Sequence, residues 1–262
     1  MNVTGKVVVV TGGAEGIGQA LCERFAKEGA KAVVVADRNV EGAKQVAKRI
    51  GGHAVPCDVE RENDIINLVE TTERDIGPIA LFCSNAGIGH FGEDPNDASS
   101  ALDEAWTHGW AVNVMAHVYA ARALLPRMTA RGGGYFLNTV SAAGLLNQIG
   151  SAVYSTTKHA AVGFAENLAI THADRGIRVS ILCPQAVDTA MLRAGGPGAQ
   201  HVDGVLTPDV VADAAIRGLA DERFLILPHP QVVEYVRRKG GDYERWIAGM
   251  IRFRHRLSAA SR

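Results

Sequence analysis

The sequence has no apolar run long enough to cross a bilayer. Its most apolar stretch, residues 111–126, is broken by Asn113, His117 and Arg122, which suits a buried or interface helix. Charge of one sign is also missing. The formal net charge is -1, so no global field draws the chain to nucleic acid or to an anionic surface. Cysteine is scarce: Cys22, Cys57, Cys83 and Cys183 lie far apart in apolar runs, with no Cys/His cluster at metal-ligand spacing. This excludes a disulfide scaffold and points to reduced core thiols, no metal and a cytoplasmic location. The opening Met1-Asn2-Val3-Thr4-Gly5-Lys6 lacks the apolar segment of a secretory leader, which adds to that expectation. No repeat, low-complexity tract or linker divides the chain, and 262 residues suffice for one large domain.

What is present is an alternation. Short β-rich runs at 7–10, 32–36, 53–57, 79–84, 134–140 and 178–183 are separated by helical patterns such as 16–28 and 62–76. Strand and helix in turn imply an α/β fold: a doubly wound parallel sheet with helices on both faces. Ligands then bind beyond the carboxyl ends of the strands. Two long helical segments, about 101–128 and 152–174, are apolar on more than one face. They are expected to be buried, in part against another subunit.

The first strand runs into Thr11-Gly12-Gly13-Ala14-Glu15-Gly16-Ile17-Gly18, which opens a helix. Glycines allow a tight turn and close approach to a pyrophosphate, which sits at the positive helix N-terminus. Asp37 ends the second strand, where an acid hydrogen-bonds ribose hydroxyls and repels a 2′-phosphate, so NAD is expected over NADP. Its neighbour Arg38 works in the opposite sense.

Tyr154 and Lys158, four residues apart, fall on one face of a helix thirteen residues after Ser141. An ammonium beside a phenol favours the phenolate and is expected to lower its pKa. A phenol tuned this way can take a proton from an alcohol or return one to a ketone. The Ser141 hydroxyl both donates and accepts, which suits orienting a substrate oxygen.

These residues resemble the short-chain dehydrogenase/reductase family over about residues 5 to 225. Thr11-Gly12-x3-Gly16-Ile17-Gly18 is similar to its cofactor loop, and Cys57-Asp58-Val59 to its adenine-contacting segment. Asn85-Ala86-Gly87 resembles the signature after its fourth strand, Asn113 its helix asparagine, and Thr189 its nicotinamide-carboxamide contact. Ser141, Tyr154 and Lys158 match its catalytic residues in order and spacing. The resemblance implies a single Rossmann-type domain over 1–262 with Asn113, Ser141, Tyr154 and Lys158 as the catalytic set. It also implies that Glu15, Arg38, Pro184 and Val187 join these motifs, Asp37, Tyr154 and Lys158 around the cofactor. Two features depart from the family. Pro184-Gln185 replaces the usual Pro-Gly after the sixth strand, and in place of an Asp-Gly-Gly ending there is a basic, amphipathic tail at about 229–262.

The resulting expectation is hydride transfer between NAD(H) and a small lipophilic secondary alcohol or ketone, such as a steroid, aryl or long-chain alcohol. Ser141, Tyr154, Ala143, Leu145, Leu146, Gln148, Ile149, Gln185, Ala186, Met191 and Leu192 are expected to line the cleft, without a cluster of arginines to hold a carboxylate or phosphate. A homodimer or homotetramer is expected through the two long helices. The loop at about 190–207, hinged at Gly195-Gly196-Pro197-Gly198, and the tail are expected to cover the cleft. The alternative, a catalytically silent dinucleotide-sensing protein, would not need Ser141, Tyr154 and Lys158 together.

Overall fold

Four consecutive valines open the first strand, and such β-branched residues suit a pleated surface buried on both faces. The computed structural model describes residues 1–89, 93–94, 96–195 and 198–260. Its strands are β1 (Val7–Thr11), β2 (Ala32–Asp37), β3 (His53–Pro56), β4 (Ile79–Ser84), β5 (Gly134–Thr139), β6 (Ile177–Leu182) and the short β7 (Leu225–Ile226). All pair in parallel, in the order β3-β2-β1-β4-β5-β6-β7.

The helices are α1 (Gly16–Lys27), α2 (Val40–Ile50), α3 (Glu62–Asp75), α4 (Asp103–Trp110), α5 (Ala116–Ala130), α6 (Ala152–His172), α7 (Ala190–Gly195), α8 (Pro208–Ala220), α9 (Val232–Gly241) and α10 (Tyr243–Ala260). Alternate residues of β1 serve opposite layers. Val8 and Val10 pack with Leu21 and Phe25 of α1 and Val211 of α8. Val9 packs in the other layer with Leu68 of α3, Leu124 of α5 and Ala161 of α6. The chain winds outward from β1 to β3, then returns to place β4 on the other side of β1. That reversal opens a crevice at the carboxyl ends of β1 and β4.

The long segment expected at 101–128 is not one regular helix. α4 and α5 are joined by a π-helical turn, Ala111–Met115. Such a turn accommodates an extra residue, and this one holds Asn113 fully buried. The segment expected at 152–174 forms α6 and a 3₁₀ turn, Ala173–Arg175, stopped by Gly176 at φ 74°. A left-handed stop of this kind is cheapest for glycine. The tail forms α9 and α10. Gly196 and Pro197 of the expected hinge, and Ser261 and Arg262 of the tail, lie outside the described residues. No helix among the described residues is long and apolar enough to cross a membrane.

Candidate active site

Gly12, at φ 65°, turns the chain out of β1. A Cβ there would come within 2.8 Å of Ala86 Cα, and one on Gly18 would overlap the Gly12 carbonyl. Gly16, at φ 55°, starts α1, and a Cβ on it would meet Thr189 Cγ2 at 3.2 Å. The Glu15 side chain does not cap α1, and its first turn carries no acid. Free N–H groups and the helix dipole are thus presented where Gly16, Ile17 and Gly18 line a cavity of about 1430 Å³. These residues fit a dinucleotide pyrophosphate.

Asp37, at the end of β2, lines the same cavity beside Arg38. Its Oδ2 accepts from Ala14 N at 3.0 Å and its Oδ1 from Asn39 N at 2.8 Å, so the carboxylate is fixed in place. Asp58 and Val59 follow β3 in the wall. Asp58 Oδ1 also accepts from Glu60 N at 3.2 Å. Asn85, Ala86 and Gly87 follow β4, and Pro184, Val187 and Thr189 follow β6, all lining the cavity. Thr11 lies behind the wall, where its hydroxyl accepts from Asn85 N at 3.0 Å and Ala86 N at 3.2 Å. It positions the loop after β4 against the glycine turn. Asn85 Oδ1 is buried and has no hydrogen-bond partner among the described residues.

Ser141 follows β5 and is nearly buried. Its Oγ accepts from Ala143 N at 3.1 Å and donates to Pro184 O at 3.4 Å. Tyr154 and Lys158 project from the first two turns of α6 into the wall that Ser141 occupies. Lys158 Nζ donates to Thr139 O at 3.3 Å and lies 5.7 Å from the centre of the Tyr154 ring. Asn113 stands one layer behind the wall. Its Nδ2 donates to Ile88 O at 3.0 Å and to Thr157 Oγ1 at 3.2 Å.

The expected lowering of the Tyr154 pKa is overturned. Burial pushes the phenol above its ordinary value, and a hydrogen bond with Ser141 only partly opposes this. Burial also pulls the Lys158 ammonium down to about 8. Desolvation disfavours the charged form of each group.

At the substrate end, Ala143, Leu146, Gln148, Ile149, Gln185, Met191 and Leu192 line the cavity as expected. Leu145 and Ala186 do not; Leu145 packs in the core and Ala186 is buried. Gln185, at the departure from Pro-Gly, donates its N–H to His229 Nδ1 at 3.2 Å and keeps a buried Oε1 without a partner among the described residues.

The tail contributes more than its sequence suggested. Tyr235, Trp246, Met250 and Phe253 line the cavity, and Trp246 packs near Ala142 and Leu146, beside Ser141. Arg238, Arg245, Arg252 and Arg256 also line it. The expected lack of an arginine cluster is therefore corrected: these arginines arrive on helices far along the chain, where no local motif announces them. Sequence reasoning also missed Asn147, which lines the cavity at φ 111°, a strained backbone often associated with function. Its cue was an asparagine just before Gln148 in a loop.

All four cysteines are buried and free, and burial pushes Cys57 and Cys183 up to about 12. Among the described residues, no group of three or more His, Cys, Asp or Glu side chains is placed to hold a metal.

The family model for short chain dehydrogenases matches residues 6–198. Epidermal retinol dehydrogenase 2 of Homo sapiens is 30% identical over 237 residues, covering 87% of this chain and 75% of that protein. The 3-ketoacyl-(acyl-carrier-protein) reductase of Brucella melitensis, solved with NADH, has a TM-score of 0.79 at 31% identity, over 86% of this chain and 97% of that one. A short chain dehydrogenase/reductase of Burkholderia phymatum, solved with NAD, reaches 0.82 at 27% identity, over 93% and 96%. Since the match runs through the glycine turn and beyond Tyr154 and Lys158, over well more than half of the sequence, the chain belongs to the short-chain dehydrogenase family.

Proposed function

We propose that this oxidoreductase of CH–OH groups transfers a hydride between NAD(H) and a lipophilic secondary alcohol or ketone, with Tyr154 as acid and base. One observation carries the reading: Ser141, Tyr154 and Lys158 open onto the same cavity as the glycine turn and Asp37. Bound NAD would supply the hydride acceptor, and NADH the donor. The N-terminus of α1 would hold the pyrophosphate, Asp37 the ribose hydroxyls, and Asp58 and Val59 the adenine. Asn85, Ala86, Gly87, Val187 and Thr189 would border the nicotinamide end. The NAD and NADH bound in the two solved relatives support this choice of cofactor.

The proton chemistry belongs to the chain. Ser141 Oγ releases its long bond to Pro184 O and donates to the substrate oxygen. In ketone reduction the Tyr154 hydroxyl gives up its proton, and in alcohol oxidation the phenolate accepts one. Because burial keeps the phenol protonated, oxidation should gain with rising pH while reduction proceeds at neutrality. Lys158 anchors the tyrosine's turn of α6 through Thr139 O. Leu146, Ile149, Met191, Leu192, Trp246 and Phe253 would exclude water and hold an apolar substrate such as a steroid, aryl or long-chain alcohol. The retinol named for the human relative is equally lipophilic, although its hydroxyl is primary.

The same reading gives a single domain whose loop at about 190–207 and tail cover the cleft. It also gives a cytoplasmic homodimer or homotetramer built on α4, α5 and α6. Exposed Trp110 on α4 and Ile170 on α6 support that surface. The reading is tested by incubating a panel of lipophilic secondary alcohols with NAD or NADP and following reduced-cofactor absorbance. Turnover with NAD is expected. NAD binding without turnover across the panel would favour the silent dinucleotide sensor.

A further inference from the structure

We infer that the C-terminal helix α10 forms an anion subsite at the substrate end of the cavity, so that the substrate is a lipophilic molecule carrying a carboxylate or phosphate away from its reacting carbon. This deepens the reading above and rests on it for the hydride chemistry. The observation is a juxtaposition on one helix. Arg245, Arg252 and Arg256 fall within an arc of about 40° and span about 16 Å of axis. All three line the cavity that holds Ser141 and Tyr154. Gly249 lies on the same stripe, and a Cβ there would meet, within 4 Å and among the described residues, only Arg252 Nη2, at 3.9 Å. The arginine heads therefore have room along this edge. Trp246 and Phe253, on the adjoining stripe, supply an apolar wall beside them.

Among the described residues these cations lack acidic partners. Elsewhere the arginines of α3–α5 and the following turn are paired: Arg74 with Asp75, Arg122 with Glu62 and Arg131 with Glu73. Arg238, in the same wall, is held by Glu234. Among the described residues, no carboxylate forms an ion pair with Arg245, Arg252 or Arg256. Asp242 lines the same wall, but its Oδ1 accepts the Arg245 backbone N–H at 2.9 Å. Glu93 also lines it, and its Oε2 accepts from Ala152 N at 2.7 Å.

Local helix energetics oppose this arrangement. Arg252 and Arg256 are like charges at i, i+4, and Arg245 sits in the first turn against the helix dipole. A bound anion would relieve all three. Three hydrogen bonds anchor the tail beside the cleft. Lys239 Nζ donates to Leu145 O at 2.7 Å, Tyr235 donates to Asp203 Oδ1 at 2.9 Å, and Arg254 donates to Asn96 Oδ1 at 2.9 Å.

The test is calorimetric titration of the NADH-loaded protein with decanoate, decyl phosphate and the neutral decanamide. Charge-assisted hydrogen bonds should make at least one anion bind about tenfold or more tightly than the amide. The better anion identifies the headgroup. The preference should weaken with salt and collapse in the Arg252→Gln/Arg256→Gln variant. Both positions are exposed, so the fold should survive. Equal binding of amide and anions, or a preference that survives the substitutions, would overturn the inference. So would a loss of NADH affinity in the variant with the anion preference unchanged, because the arginines would then serve the cofactor. Failure of the wild-type protein to bind NADH would instead sink the functional reading, and it would show in the loading step.

Discussion

Asn113 and Ile88 are joined by a reciprocal pair of hydrogen bonds: Ile88 N donates to Asn113 Oδ1 at 3.0 Å, and Asn113 Nδ2 returns to Ile88 O at 3.0 Å. The pair ties the π turn to the loop that carries Asn85, Ala86 and Gly87. A Cβ on Gly87 would meet both Lys158 Nζ and Asn113 Oδ1. The link therefore sets the space around the lysine. Asn113→Leu should leave buried polar groups unpaired at a cost of about 1–3 kcal/mol in urea unfolding. It should also lower kcat, because the loop and Lys158 lose their shared reference. A variant of unchanged stability and kcat would remove Asn113 from the account.

On the proposed reading, cofactor choice rests on the Asp37 carboxylate. Asp37 is held by Ala14 N and Asn39 N, so it cannot turn away from a 2′-phosphate. NAD should be preferred to NADP in kcat/KM. Asp37→Asn, which keeps the shape and removes the charge, should narrow the gap by about tenfold or more, as expected for like charges a few ångströms apart. An NADP preference in the unmutated enzyme would mean that Arg38 governs instead.

His117 gives a pH signature independent of activity. It is buried, and burial, followed by the Lys158 charge, depresses its pKa to about 3. The unfolded chain binds the proton near the ordinary value of about 6.5. The contribution of the neutral ring is therefore intact above that value and is lost as pH falls toward 3. Between pH 7 and pH 5, the wild-type protein should lose about 2 kcal/mol more stability than His117→Leu. Parallel losses in urea unfolding would show that the ring is not buried neutral.

Assembly and cover can be separated. Light scattering at micromolar concentration should show a dimer or tetramer, and Ile170→Glu, on the exposed face of α6, should reduce the mass. Trp246→Ala, in the tail, should raise KM for substrate and leave the mass unchanged. A monomeric wild-type protein would refute the assembly. A Trp246→Ala variant with unaltered KM would refute the cover.

The first six strands were legible to within a residue or so because β-branched runs such as Val7–Thr11 are bounded by glycine turns, whereas the two-residue β7 was not. The cradle and the Ser141, Tyr154 and Lys158 set were legible because their chemistry lies in contiguous motifs at fixed spacing. Features created by packing across the chain were not. The π turn at Asn113 depends on a partner in the loop after β4. The pKa directions of Tyr154 and Lys158 follow from burial that no spacing reports. The arginine edge of the cavity is assembled only when α10 folds back over the cleft. Thr11 reads like a cofactor contact, yet its hydroxyl faces inward to the Asn85 loop.

The central claim is that the Tyr154 hydroxyl carries the proton in hydride transfer. The most direct measurement is the single-turnover rate of NADH formation in Tyr154→Phe, alongside the NAD affinity of the same variant. The ring and its packing remain while the proton donor and acceptor is removed. The account predicts a rate lower by about 10² to 10⁴-fold with NAD affinity essentially unchanged. A wild-type rate in Tyr154→Phe would contradict it.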